Sequence, residues 1–258
     1  MIFNVSAMSP ILLELGPIVI RWYAIAYILG FVFGWKYCIT LIKEKKAPMT
    51  EKAFDDLLTW LVVGVILGGR LGYVLFYQPA HYLSNPIDIL KIWEGGMSFH
   101  GGALGVLISI AIFANKNKLK FLGVADLICA AAPLGLFFGR WANFINNELW
   151  GKVTNGKWGV IFRDATNLPR HPSQLYDALL EGLVLFIVLN LAYRKKSDKA
   201  GFVSGMFLML YGVFRAGIEF FREPDVQIGY ILNYFTMGQV LSLPMIVVGL
   251  WLMLRKNK

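Results

Sequence analysis

Long apolar runs, seven of them and most close to twenty residues, recur along the chain and limit its fold more than any other feature. A run of about twenty apolar residues crosses a bilayer as a helix, because lipid offers open backbone groups no partner and only helices or closed barrels satisfy them internally. The runs lack the short alternating pattern of barrel strands. Hydrophobic residues make up 57% of the 258 positions, well above an ordinary soluble domain. The sequence therefore predicts an all-α, polytopic membrane protein, a single membrane-embedded domain over residues 1–258.

The expected spans cover residues 18–42, 57–76, 97–114, 122–138, 175–192, 202–221 and 237–254. Met1 to Pro17 has no basic residue ahead of its apolar part, and the run after it exceeds a signal-peptide core, so the first helix is expected to remain. Basic clusters follow spans one, three, five and seven: Lys43, Lys45 and Lys46; Lys116, Lys118 and Lys120; Arg194, Lys195, Lys196 and Lys199; and Arg255, Lys256 and Lys258. Seven spans put all four clusters on one side, which the positive-inside rule makes cytoplasmic, with the N-terminus outside and the C-terminus inside. The polar stretch 139–173 is too irregular to span and is expected to form a small extracytoplasmic head. No internal repeat of the usual transporter kind is visible.

Lys+Arg 25 against Asp+Glu 16 is basic enough to bring nucleic acid to mind, but the lysines cluster between apolar runs and topology accounts for them. Cys38 and Cys129 stand alone in apolar surroundings and read as packing residues. No metal-ligand spacing, phosphate-cradling loop or nucleotide fingerprint occurs, so no metal and no cofactor are expected. Gly64, Gly68, Gly69 and Gly72 have the spacing of close helix packing.

The remaining charges gather in the outer half of the membrane. Arg70 and Arg215 each lie about 20 Å along their spans from the cytoplasmic end, at a rise of about 1.5 Å per residue. His100 starts span three, Arg140 ends span four, and Tyr23 follows Arg21 at the start of span one. An ion inside a bilayer costs about 2.5–3.5 kcal/mol, so Arg70, Arg215 and Glu219 should face protein or a polar cavity. Tyr211, Arg215, Glu219 and Arg222 line one helical face, as ligand contacts or as an ion-pair seam. One buried carboxylate against these cations leaves Arg70, Arg140 and Arg215 in want of an anion, and an outer-leaflet phospholipid supplies a phosphate at that depth. For Arg70 the alternative is helix–helix pairing. His100, between Phe99 and the Gly101–Gly102 pair that would let a substrate approach, suits a general base. His81 has no assigned role.

The stretch Gly139-Arg140-Trp141-Ala142-Asn143-Phe144-Ile145-Asn146-Asn147-Glu148-Leu149-Trp150-Gly151 carries this chemistry most densely. With Ser98-Phe99-His100-Gly101-Gly102, His171-Pro172-Ser173-Gln174-Leu175-Tyr176, and Tyr211-Gly212 through Arg222-Glu223-Pro224-Asp225, it resembles the bacterial prolipoprotein diacylglyceryl transferase family over nearly the whole chain. The resemblance implies a seven-helix enzyme of the bacterial plasma (inner) membrane. Such an enzyme moves the diacylglyceryl group of phosphatidylglycerol onto the lipobox cysteine of a preprolipoprotein signal peptide, releasing glycerol phosphate. It implies roles for Tyr23, His100, Arg140, Asn143, Glu148, Gly151, Tyr211, Arg215, Glu219 and Arg222. Asp177 and Ala103 depart from the family pattern without touching the expected chemistry.

On that footing Arg140 and Arg215 are expected to grip the phosphate, with Arg70 and Arg222 as secondary cations. Asn143, Asn146 and Tyr23 would hydrogen-bond the glycerol head or peptide backbone, while Glu148 orders the turn or holds an arginine. The thiol loses its proton either to His100 or under the positive field alone. A phospholipid or anion transporter is the competing explanation of the same arginines.

Overall fold

The computed structural model describes residues 1–16, 18–44, 46–163, 166–196, 199–224, 229–231 and 234–255; Lys45, Asp225, Lys256 and Lys258 of the motifs above lie outside the described residues. In chain order the elements are β1 (Ile2–Asn4), β2 (Ile11–Leu15), β3 (Ile18–Arg21), α1 (Trp22–Lys43), α2 (Glu51–Phe76), α3 (Pro79–Ser84), α4 (Phe99–Lys116), α5 (Phe121–Ile145) and β4 (Gly159–Ile161). Then come α6 (Ser173–Asp177), a π-helical stretch Ala178–Val184, α7 (Leu185–Lys196), α8 (Phe202–Ile218), β5 (Tyr230–Ile231), β6 (Phe235–Thr236) and α9 (Met237–Leu254).

Among the described residues, six helices are long and apolar enough to cross a membrane: α1, α2, α4, α5, the continuous run Ser173–Lys195, and α9. The remaining expected span, α8, has 17 residues. The first span also begins later than its apolar run suggests, because Ile18–Arg21 is pulled into an antiparallel pair with β2 across Gly16, whose φ is 59°. Apolar character alone does not separate a membrane helix from a short apolar strand beside it.

The chain forms two compact units, Leu41–Ala125 and the combination of Met1–Thr40 with Asp126–Lys258. In the first, Thr50 caps α2 by accepting from the Ala53 amide, and Ser98 caps α4 by accepting from the Gly101 amide. α2 and α4 meet through glycine. A Cβ on Gly64 would lie 2.6 Å from the Gly105 carbonyl oxygen, and one on Gly101 2.3 Å from that of Gly68. The expectation of close helix packing at these positions holds, and Gly101 takes part in that contact.

In the larger unit, β1 pairs with β4 in parallel, and Val5, Phe144, Val160 and Phe162 form a small core beneath them. Asp126, 4% exposed, bonds the Gly201 amide at 2.7 Å and the Ser204 amide at 2.7 Å, capping α8 from a distant helix. α9 starts with a capping box between Thr236 and Gln239. α8 and α9 close on Gly205 and Gly249, where a Cβ on either would fall within 2.7 Å of the other's carbonyl oxygen.

One boundary moves the functional residues. The sequence ends span four near Phe138 and begins a polar loop at Gly139, yet α5 runs two turns further, to Ile145. Arg140 and Asn143 are therefore helical, one turn apart on one face. The helix stops at Asn147 (φ 57°), a left-handed residue of the kind that ends helices, with Glu148 N–H bonded to Asn143 C=O and Asn147 N–H to Phe144 C=O, both at 3.1 Å. The asparagine-rich part of the signature is this Schellman cap.

Candidate active site

The cap places the first group of polar side chains. Schellman caps commonly carry an apolar contact between the third-last helical residue and the second residue past the end. Here those positions are Asn143 and Glu148, and a hydrogen bond replaces the apolar contact, Asn143 Nδ2 donating to Glu148 Oε1 at 2.8 Å. Asn143 also donates to the Tyr23 hydroxyl, and Tyr23 bonds Glu148. Through these bonds Glu148 ties the residues past the helix end to Asn143 and Tyr23. Gln174 Nε2 donates to the Glu148 carbonyl at 2.6 Å and Ser173 Oγ to the Leu149 carbonyl at 2.9 Å, holding Leu149 at φ 57°. Asn146 presents a buried Oδ1 that accepts no hydrogen bond among the described residues.

Gly151 closes the signature for a steric reason: a Cβ there would meet the Phe221 carbonyl oxygen at 2.5 Å and that of His171 at 2.6 Å. The backbone around it pairs with the segment after α8, Lys152 N–H to Phe221 C=O at 2.8 Å and Glu223 N–H to Trp150 C=O at 3.3 Å. That pairing fixes Arg222, so Gly151 shapes the site through its neighbour. His171 meets the Tyr176 hydroxyl at 3.2 Å and the Trp158 ring. Burial, and then nearby Lys152, push its imidazole below the ordinary histidine pKa.

The second group lies where α5, the π-helical stretch and the end of α8 meet. Arg140 Nη2 donates to Glu181 Oε2 at 3.0 Å, and its Nη1 stands 3.4 Å from Asp177 Oδ2. Arg215 pairs closely with Glu219 and stands 3.6 Å from Asp177 Oδ1. Arg222 lies 3.7 Å from Asp177 Oδ2 and 3.9 Å from Glu219 Oε1. Tyr211, one turn before Arg215, interacts electrostatically with Glu181 and Arg140. Burial and Arg215 together push the Arg222 guanidinium below its ordinary pKa. Gly182 lets this helix approach α5, since a Cβ there would fall 2.8 Å from that of Phe137. A cavity of about 30 Å³ beside Arg215, Glu219 and Arg222 is large enough for a water or two.

Two expectations change. Excess positive charge was predicted from one buried carboxylate, whereas Asp177, Glu181 and Glu219 balance Arg140, Arg215 and Arg222 one for one. Asp177, expected to be a departure without consequence, faces all three guanidinium groups and is fully buried. Both acids were missed although they sit four residues apart inside an apolar span, where an ionisable group is a functional signal by default. Charge balance does not exhaust the cluster's hydrogen bonding: Nη1 of Arg215 and of Arg222, both oxygens of Asp177 and Oε1 of Glu181 are buried without a hydrogen-bond partner among the described residues. Buried polar atoms in this condition mark a place for a ligand or water.

Arg70 and His100 belong to the smaller unit. Arg70 donates through Nε to Ile89 C=O at 2.9 Å, through Nη1 to Gly95 at 2.6 Å and Gly96 at 3.1 Å, and through Nη2 to Asp88 at 2.5 Å and Lys91 at 3.2 Å. Those bonds use all five donors of a guanidinium, so Arg70 staples the loop after α3 and has no N–H left for a phosphate. His100 is exposed in the first turn of α4 with its ring edge-on to Phe99. His81, the unassigned histidine, bonds Asp88 at 3.1 Å.

Helices of spanning length around an arginine–carboxylate cluster define an integral membrane protein with a charged interior site. The family model described as prolipoprotein diacylglyceryl transferase matches residues 10–255. The chain is 53% identical over 254 residues to the phosphatidylglycerol--prolipoprotein diacylglyceryl transferase of Azospirillum brasilense, covering 97% of this chain and 95% of that one. It is 51% identical over 251 residues to the protein of the same name from Rickettsia felis, covering 96% and 97%. The chain belongs to the prolipoprotein diacylglyceryl transferase family.

Proposed function

We propose that this protein transfers the diacylglyceryl group of phosphatidylglycerol to the lipobox cysteine of preprolipoproteins in the bacterial inner membrane. The relatives' names favour transfer over transport as the use of these arginines. The observation that carries the assignment is the trio Arg140, Arg215 and Arg222 converging on the enclosed Asp177, Arg222 buried and the other two 15% exposed at their side chains, with Nη1 donors unspent on Arg215 and Arg222. A phosphate oxygen accepts from such a fork, and charge-assisted bonds that strengthen as the leaving group gains charge lower the barrier.

The thiol sulfur attacks the glycerol carbon that bears the phosphate, the carbon–oxygen bond breaks, and glycerol phosphate leaves on Arg140 and Arg215, with Arg222 behind them. The products are a thioether and one released proton. The thiol loses its proton either to His100 or in the field of the arginines. Tyr23 and Asn143, fixed by Glu148, orient the glycerol head or the peptide, and Asn146 Oδ1 accepts from a hydroxyl or amide there. Tyr211 and Glu219 hold the arginines in place. Arg70 acts through the loop it staples.

In this arrangement α8 is the sixth of seven spans, since about 17 residues is the shortest stretch that crosses the hydrocarbon core. The basic clusters then face the cytoplasm, the N-terminus and the 146–172 segment lie outside, and the site occupies the outer half. Incubating the purified protein with phosphatidylglycerol and a lipobox peptide should yield a diacylglyceryl adduct by mass spectrometry; no adduct overturns the assignment. His100→Gln should lose activity and regain it as pH rises, and unchanged activity at pH 7 removes the base role.

A further inference from the structure

Asp177 is the least bonded member of the cluster although it sits at the centre. Its side chain is fully enclosed, neither oxygen accepts a hydrogen bond among the described residues, and Nη1 of Arg140, Arg215 and Arg222 approach it only to 3.4, 3.6 and 3.7 Å. The other carboxylates bond directly: Glu181 takes Arg140 at 3.0 Å, and Glu219 takes Arg215 more closely still. A carboxylate kept for its ion pairs settles at about 2.7–2.9 Å from its donors. Asp177 instead shows two oxygens to three guanidinium groups from a small distance, which is the presentation a phosphate would make.

We propose that Asp177 is a positioning residue that stands in for the substrate's phosphate. With the site empty, its charge keeps the three arginines converged and the cluster neutral. When the lipid binds, Asp177 yields their Nη1 donors to phosphate oxygens, and it recovers them when glycerol phosphate departs. No covalent bond changes at Asp177. Its standing charge opposes the bound anion, so the same contacts that draw the phosphate in do not trap a doubly charged product. The inference rests on the diacylglyceryl-transfer assignment.

The test titrates glycerol phosphate as an inhibitor of transfer by the detergent-purified full chain, and follows inorganic phosphate binding by thermal shift. Asp177→Asn removes one negative charge about 4 Å from three cations, and both anions should bind at least about tenfold more tightly while kcat falls with product release. Asp177→Glu, which restores the charge, should return anion affinity toward the parent's. A merely structural Asp177 predicts a lower melting temperature and lower kcat with anion affinity unchanged or weakened, and that result overturns the proposal. Should Asp177→Asn fail to accumulate, Glu181→Gln removes a charge from the same cluster; tighter anion binding supports charge competition and unchanged binding refutes it. A parent protein that yields no adduct refutes the transfer assignment, while the phosphate shift still reads whether Asp177 competes with an anion.

Discussion

Replacing Arg140 by lysine keeps the charge and removes the fork, which separates what the guanidinium does for the fold from what it does for phosphate. Arg140 reaches Glu181 at 3.0 Å through Nη2 and Asp177 at 3.4 Å through Nη1, and both acids are fully buried. An ammonium is a point charge on a flexible stem and serves one of these acids at a time. Deleting the charge altogether, as in Arg140→Ala, strands two buried carboxylates, and breaking a buried pair this way costs about 3–5 kcal/mol of stability. Arg140→Lys avoids most of that loss. Its effect on turnover should be about 10²–10³-fold, the usual consequence of losing one fixed donor to developing negative charge. The assay pairs the adduct yield on a lipobox peptide with a melting curve in detergent. Near-parental melting with turnover down by that factor is the expected result. Turnover within about threefold of the parent would mean that charge alone suffices, and the clamp geometry would be refuted.

Asn147→Ala should destabilise the protein by about 1–2 kcal/mol in a chemical melt, because alanine pays a steric penalty at φ 57° and loses the bond from the Arg163 amide at 2.9 Å. Gly105→Val should cost at least about 1–3 kcal/mol and lower the yield of folded protein, since even a Cβ there would lie 2.0 Å from the Gly64 carbonyl oxygen; unchanged yield and melting would mean that α2 and α4 tolerate separation. The pKa of His171 is depressed by burial, so the unfolded chain binds its proton first and stability falls as pH drops through the ordinary histidine range near 6.5. The melting temperature should therefore decline between pH 7.5 and 5.5, and His171→Phe should flatten that slope.

Membrane helices, polar signature and basic clusters were legible in the chain because each is a local property. Twenty apolar residues need a helix in lipid wherever their neighbours lie, and the run Met237 to Leu254 coincides with α9 at both ends. Arg70, Arg215 and Glu219 stood out for the cost of putting charge among such residues. The partners of those charges were not legible. Asp177 and Glu181 show the same local signal as the arginines, but a carboxylate's effect depends on which cations lie within a few ångströms, and that distance arises from helices far apart in sequence. Arg70 illustrates the same limit: its cost was readable, whereas the five carbonyls that satisfy it come from the fold of residues 88–96. Sequence alone thus determined that this protein is a helical membrane protein of its family with buried arginines. Only the tertiary structure decided that these arginines are balanced by acids and left with unspent donors, because charge compensation is set by three-dimensional distance, which falls off steeply and has no fixed spacing along the chain.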